Sequence, residues 1–99
     1  MKVYLDCPIF DSPTSAWGNA LGEIELGFVP TAGQFADIPH GLPELTDLGF
    51  PSPMLVDRVH RDGDRIIILL SGVVVADRAS AARIGKLFEQ KLGFDVTEY

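Results

Sequence analysis

Apolar and polar residues alternate from Lys2 to Cys7, with Val3, Leu5 and Cys7 on one side and Lys2, Tyr4 and Asp6 on the other. A period of two predicts a half-buried strand, and Pro8 is expected to stop it. Ser12-Pro13 then has the form of a helix start, with Ser12 as N-cap and Pro13 in the first turn. Ala16 and Ala20, like Trp17 and Leu21, would lie one helical turn apart, with Gly22 ending the helix. From Glu23 to Val29 alternation returns. Ile24, Leu26 and Phe28 are expected to point inward and Glu23 and Glu25 into water, as on a strand with one wet face.

Thr31 to Pro53 is irregular, holding Pro39, Pro43, Pro51 and Pro53 together with Gly33, Gly41 and Gly49. Pro43 to Leu48 has room for a short helix capped by Gly49. The apolar residues of this stretch, Phe35, Ile38, Leu42, Leu45, Leu48 and Phe50, predict that it packs over a sheet face or edge.

Regular patterning resumes at Met54. Met54 to His60 reads as a strand with Leu55 and Val59 on one face and Met54 and Val56 on the other. Asp62-Gly63 marks a hairpin turn. Arg65 to Leu70 is an apolar run expected at the sheet centre, covered on both faces. Ser71-Gly72 fits either a bend or a second turn, so Val73 to Ala76 either extends that strand or answers it. Asp77 is an N-cap for a helix over Arg78 to Leu92, whose apolar stripe is Ile84, Leu87, Phe88 and Leu92. Lys91 suits the negative end of the helix dipole, Gly93 the cap, and Phe94 a fold back onto the last turn. Asp95 to Tyr99 completes the pattern as a strand.

These elements make one α+β domain over residues 1–99, with a mostly antiparallel or mixed sheet of four to six strands and one main helix across a face. The strand–helix–strand ending predicts a right-handed crossover between two parallel strands. The domain has two unlike parts. In residues 1–53 lie all seven prolines and a single cation, Lys2, against seven acids; from residue 54 onward seven acids balance seven bases. The whole net charge of −6 therefore belongs to the Pro-rich part.

That acidity argues against nucleic acid or an anionic membrane as partner and toward a basic protein. The hydrophobic content of 46% is too high for a disordered chain of this charge. Cys7 has no second cysteine to pair with, and the opening MKVYLDCPIF lacks the apolar run of a signal peptide, so a cytoplasmic protein is expected.

No catalytic motif stands out. Cys7 with His40 or His60 is the one thiol–imidazole combination, but Asp6 beside Cys7 disfavours a thiolate. His40 and His60 lack metal-ligand spacing, and Asp62-Gly63-Asp64 lacks the further oxygen ligands of a calcium loop. Arg58, Arg61 and Arg65 are interleaved with Asp57, Asp62 and Asp64, which makes a self-paired hairpin rather than a phosphate site. No metal or cofactor is expected. Trp17 is either a core plug or a binding anchor.

The functional expectation is a small acidic protein-binding module, an inhibitor or immunity-type protein that occludes a basic partner through Trp17, Glu23, Glu25, Asp37, Glu44 and Asp47. The alternative is a self-associating accessory subunit of a larger assembly, such as a phage or enzyme complex. A small enzyme using Cys7 and histidine ranks third.

Overall fold

The computed structural model describes residues 2–36 and 54–99. The short helix expected at Pro43 to Leu48, and most of the irregular stretch around it, lie outside the described residues. The fold is α+β: a mixed, mostly antiparallel sheet with one C-terminal helix on a face. In chain order the elements are β1 (Lys2–Ser12), β2 (Ser15–Glu25), β3 (Phe35–Ala36), β4 (Met54–Asp62), β5 (Arg65–Leu70), β6 (Val73–Val74), α1 (Arg78–Leu92) and β7 (Asp95–Glu98). The strands run β3-β4-β5-β1-β2-β7 across the sheet, with β6 also paired to β1. Seven strands exceed the expected four to six because Phe35–Ala36 adds a short one and the β5 run divides in two.

The division lies at Ser71-Gly72. β5 pairs parallel with Tyr4 to Asp6 of β1, and β6 pairs parallel with Ile9 and Phe10. One residue more is spent on the β5–β6 side, so the chain kinks without turning back and β6 extends β5. Gly72 takes φ +98 there and lies against Pro8 and Phe10. The kink also explains why Pro8 does not stop β1. Pro8 falls in the gap between the two parallel ladders, where the missing N–H costs no regular bond.

β1 therefore continues to Ser12 and folds back through Pro13-Thr14 into β2, where a helix was expected. On β2 the inward positions are Trp17, Gly18, Ala20, Gly22 and Ile24. A side chain at Gly18 would run into the Thr97 carbonyl, and one at Gly22 into the Phe94 ring. Small residues at these crowded inward sites hid the period of two. The strand ends at Glu25, well short of Val29, and Phe28 is exposed rather than inward.

The β4–β5 hairpin turns at Gly63-Asp64, one residue later than expected, with Gly63 at φ 61 in the pattern of a type II′ turn. Asp57 forms a bulge in β4, so that Val56 and Val59 both face inward.

α1 spans the expected residues. The Asp77 carboxylate accepts from the Ser80 N–H at 2.8 Å, which holds its carboxyl below the usual range. Its help to the helix is thus complete above the ordinary aspartate range and fades as pH falls through the lowered folded value. At the other end Gly93 is left-handed, Phe94 N–H donates to the Phe88 carbonyl at 3.1 Å, and the two phenyl rings meet at 5.2 Å. Arg78 binds Glu98 at 2.8 Å and lies 3.7 Å from Asp11, tying the helix start to β7 and β1.

α1 packs on β1, β2 and β7. Beneath it and beside it lies the core: Val3, Leu5, Cys7 and Ile9 of β1, Ile68 and Leu70 of β5, Val56, Trp17, and Ile84 and Phe88 of the helix. Residues Val29 to Ala32 meet Val59 and Arg61 on the same side, and Pro30 is fully buried. Gln34 and Gly33 bond Val56, which leads β3 onto the β4 edge. β6 and β7 both run parallel to β1, so the strand–helix–strand ending does join parallel strands.

A Cβ at Gly85 would lie 2.8 Å from Trp17 Cη2 and 3.2 Å from Val96 Cγ1. Replacing a helical glycine by alanine gains about 1 kcal/mol in propensity, whereas overpacking a core costs about 1–3 kcal/mol. Gly85→Ala is therefore expected to lower the urea midpoint with an unchanged slope; a raised midpoint would show that the indole has room to retreat.

Candidate functional site

Strand register sorts every side chain to one of two faces. Opposite the helix, two rows of cross-strand neighbours can be followed across the sheet. One runs Arg58, Leu69, Asp6, Leu21, Asp95 and the other His60, Ile67, Tyr4, Glu23. Beyond them lie Pro8, Phe10 and Val74, and at the β3–β4 edge Phe35 opposite Leu55. Among the described residues no element packs on this face.

Its exposure is unusual in kind. Four large apolar side chains on strands are exposed, namely Leu21, Leu55, Phe35 at 65% and Val74 at 51%, and all four lie on the helix-free face. Tyr4, Pro8, Phe10, Ile67 and Leu69 are half-buried between them. Scattered single hydrophobes need no explanation; several gathered on one sheet face with a polar border make that face the candidate site. Arg65–Leu70 is central as expected; Ile67 and Leu69 look outward and are half-buried, and among the described residues no element lies over them.

Charge of both signs borders this surface. Arg58, His60, Asp62 and Arg65 lie on the β4–β5 side, with Asp62 3.5 Å from Arg65; Lys2, Asp6, Glu23, Glu25 and Asp95 lie on β1, β2 and β7. Lys2 lies 3.8 Å from Glu23, and the Arg65 guanidinium sits 5.4 Å above the Tyr4 ring. Asp6, Arg58, His60, Ile67 and Leu69 surround a depression of about 230 Å³, wide enough for one or two partner side chains.

The residues singled out from sequence are distributed differently. Glu23 and Glu25 are on the helix-free face, joined by Asp6 and Asp95. Trp17 is on the other side of the sheet and 5% exposed, wedged against Gly85. A bulge at Trp17 in β2 turns it inward next to Gly18. Its indole N–H has no partner among the described residues, and the ring lines a depression with Gly85, Lys86, Glu89 and Glu98. Asp37, Glu44 and Asp47 lie outside the described residues. Tyr4, Leu21, Phe35, Leu55, Ile67, Leu69 and Val74 were not singled out. The alternation of β1 already put Tyr4 and Asp6 on a wet face, but only the register shows which residues of β4, β5 and β2 join them.

Cys7 is on the inner face and fully buried, whereas His60 is on the outer face. Burial, with a smaller contribution from Asp6, pushes the thiol up to about 12. It stays protonated at neutral pH and cannot serve as a thiolate nucleophile. Among the described residues no three metal-ligating side chains converge, and no helix is long and apolar enough to cross a membrane.

Cys7 is expected to remain unreactive toward Ellman's reagent in native buffer and to react fully once guanidinium unfolds the chain. Rapid labelling of the folded protein would show that the inner face opens. Comparisons with protein-family models, with curated proteins and with solved structures found no match for this chain.

Proposed function

We propose that this protein is a small protein-binding module that docks through the helix-free face of its sheet and acts by covering the surface it binds. The observation that carries this reading is the gathering of all four exposed strand hydrophobes on one face, bordered by charge of both signs. Central apolar side chains would supply the binding energy and the charged border the orientation.

The net charge of −6 steers the module toward a basic partner at long range. At contact the demand is more specific: basic groups opposite Glu23 and Asp95, acidic ones opposite Arg58 and Arg65. Inhibitors and immunity-type proteins work by such occlusion, with no catalytic group of their own, and that is the role assigned here. The buried, unpaired Cys7 suits a reducing compartment, and the cytoplasm is the proposed location.

Phe35→Glu with Leu55→Glu tests the face. Exposed substitutions cost the fold little, about 0.5 kcal/mol or less, whereas truncating an interface anchor costs about 2 kcal/mol or more. In capture from the source organism's extract, a protein retained by the wild type and lost with this variant, but kept by Lys86→Glu on the helix side, is the expected result. Equal capture by all three proteins would remove the face from the binding surface.

A further inference from the structure

The sheet ends at β7, and a groove runs between that edge and α1. We propose that this edge takes an extended segment of a basic partner protein as an added antiparallel strand, with apolar side chains in the groove and cations on the other side. The groove lies on the helix side of the sheet, so the inference goes beyond the reading of the helix-free face and does not rest on it.

The backbone argues for a strand. β7 is last in the strand order, with β2 on one side and no strand on the other among the described residues. Tyr99 N–H donates to the Trp17 carbonyl at 2.9 Å, and the register continues through Thr97 opposite Asn19 and Asp95 opposite Leu21. In an antiparallel ladder, hydrogen-bonded and non-bonded pairs alternate. Asp95, Thr97 and Tyr99 therefore turn their backbone groups to β2, while Val96 and Glu98 turn theirs outward. Such a row of N–H and C=O groups is matched by another extended backbone.

The groove lies where that strand's side chains fall. Trp17, Gly85 and Val96 form its floor and the Ala82, Lys86 and Glu89 row of α1 its wall, around a depression of about 250 Å³. With no side chain at Gly85, the helix backbone comes down onto the indole. Residues of the added strand that bond Val96 and Glu98 share their side of the sheet and enter the groove. Those between them project beside Asp95 and Thr97.

Charge selects the partner. Glu89, Asp95 and Glu98 stand at this edge against Lys86 and Arg78, and Arg78 is already held by Glu98 at 2.8 Å and lies 3.7 Å from Asp11. A second copy pairing through its own β7 would bring another Asp95 and Glu98, and a further net charge of −6. A segment that alternates aliphatic residues with lysine or arginine brings cations to Asp95 instead.

The test titrates the full chain, isotope-labelled for amide NMR, with the peptide acetyl-Lys-Val-Lys-Val-Lys-amide. Saturable shifts are expected at Val96, Thr97, Glu98 and the Trp17 indole N–H, with slowed exchange of the Val96 and Glu98 amides. In this pairing the valine N–H groups face β7 and that of the central lysine faces away. N-methylation of both valines should weaken binding about tenfold or more, and N-methylation of the central lysine should leave it within about threefold. Because only the probe is altered, the fold of the protein is the same in every arm. Absence of saturable shifts, equal loss with both methylated peptides, or shifts centred on Phe35, Leu55, Ile67 and Leu69 would overturn the added strand. The last of these would leave the helix-free face standing as a binding surface, and the capture experiment reads that face independently.

Discussion

Burial of the inner row of β1 is the constraint that organises this molecule. Val3, Leu5, Cys7 and Ile9 are all fully buried. Each large apolar side chain taken from water contributes about 1.5–3 kcal/mol, so one strand anchors much of the core. β1 reaches that depth by pairing on both sides, with β2 along its length and with β5 and β6 in succession. It passes Pro8 only because Gly72 kinks the neighbouring chain at that point. α1 then covers the β1–β2–β7 half of the inner face, and Val29 to Ala32 lie beside Val59 and Arg61.

Among the described residues α1 is the one helix, and it covers one face. The period of two that commits Val3, Leu5, Cys7 and Ile9 to the core commits Tyr4, Asp6, Pro8 and Phe10 to the opposite side. Register carries that division to every strand paired with β1. The outward apolar positions of β5, Ile67 and Leu69, and those of β3 and β4, Phe35 and Leu55, follow from the same geometry. The helix-free face is thus the other side of the core, and which charged residues border it is set by the registers of β4 and β2.

The C-terminal half was legible because its signals are local. Asp77, the Ile84–Phe88 stripe, Gly93 and Phe94 each act within one or two turns, and α1 formed over the residues they mark. In the N-terminal half only Lys2 to Cys7 and the faces of Glu23 to Glu25 were legible, because the remaining signals depend on partners distant in sequence. Gly18 and Gly22 look like breaks in a helix until β7 and Phe94 are seen to press on them. Pro8 looks like a stop until Gly72 is seen opposite. Trp17 and Leu21 share a face in a helix, as they would in a regular strand; in β2 the bulge at Trp17 sets them on opposite faces, and Trp17 takes the core position that was one of its two readings. That Glu23 and Glu25 lie on a wet face was visible from alternation; which apolar residues share that face was not, because membership of a face is a matter of register.

The asymmetry between the two faces is measured directly by hydroxyl-radical footprinting of the dilute protein. Tyr4, Phe10, Leu21, Phe35, Leu55, Ile67 and Leu69 should be modified while Leu5, Ile9, Trp17 and Phe88 are spared. Protection of the first group, or modification of the second in the folded protein, would contradict the division of the sheet into a buried and an open face.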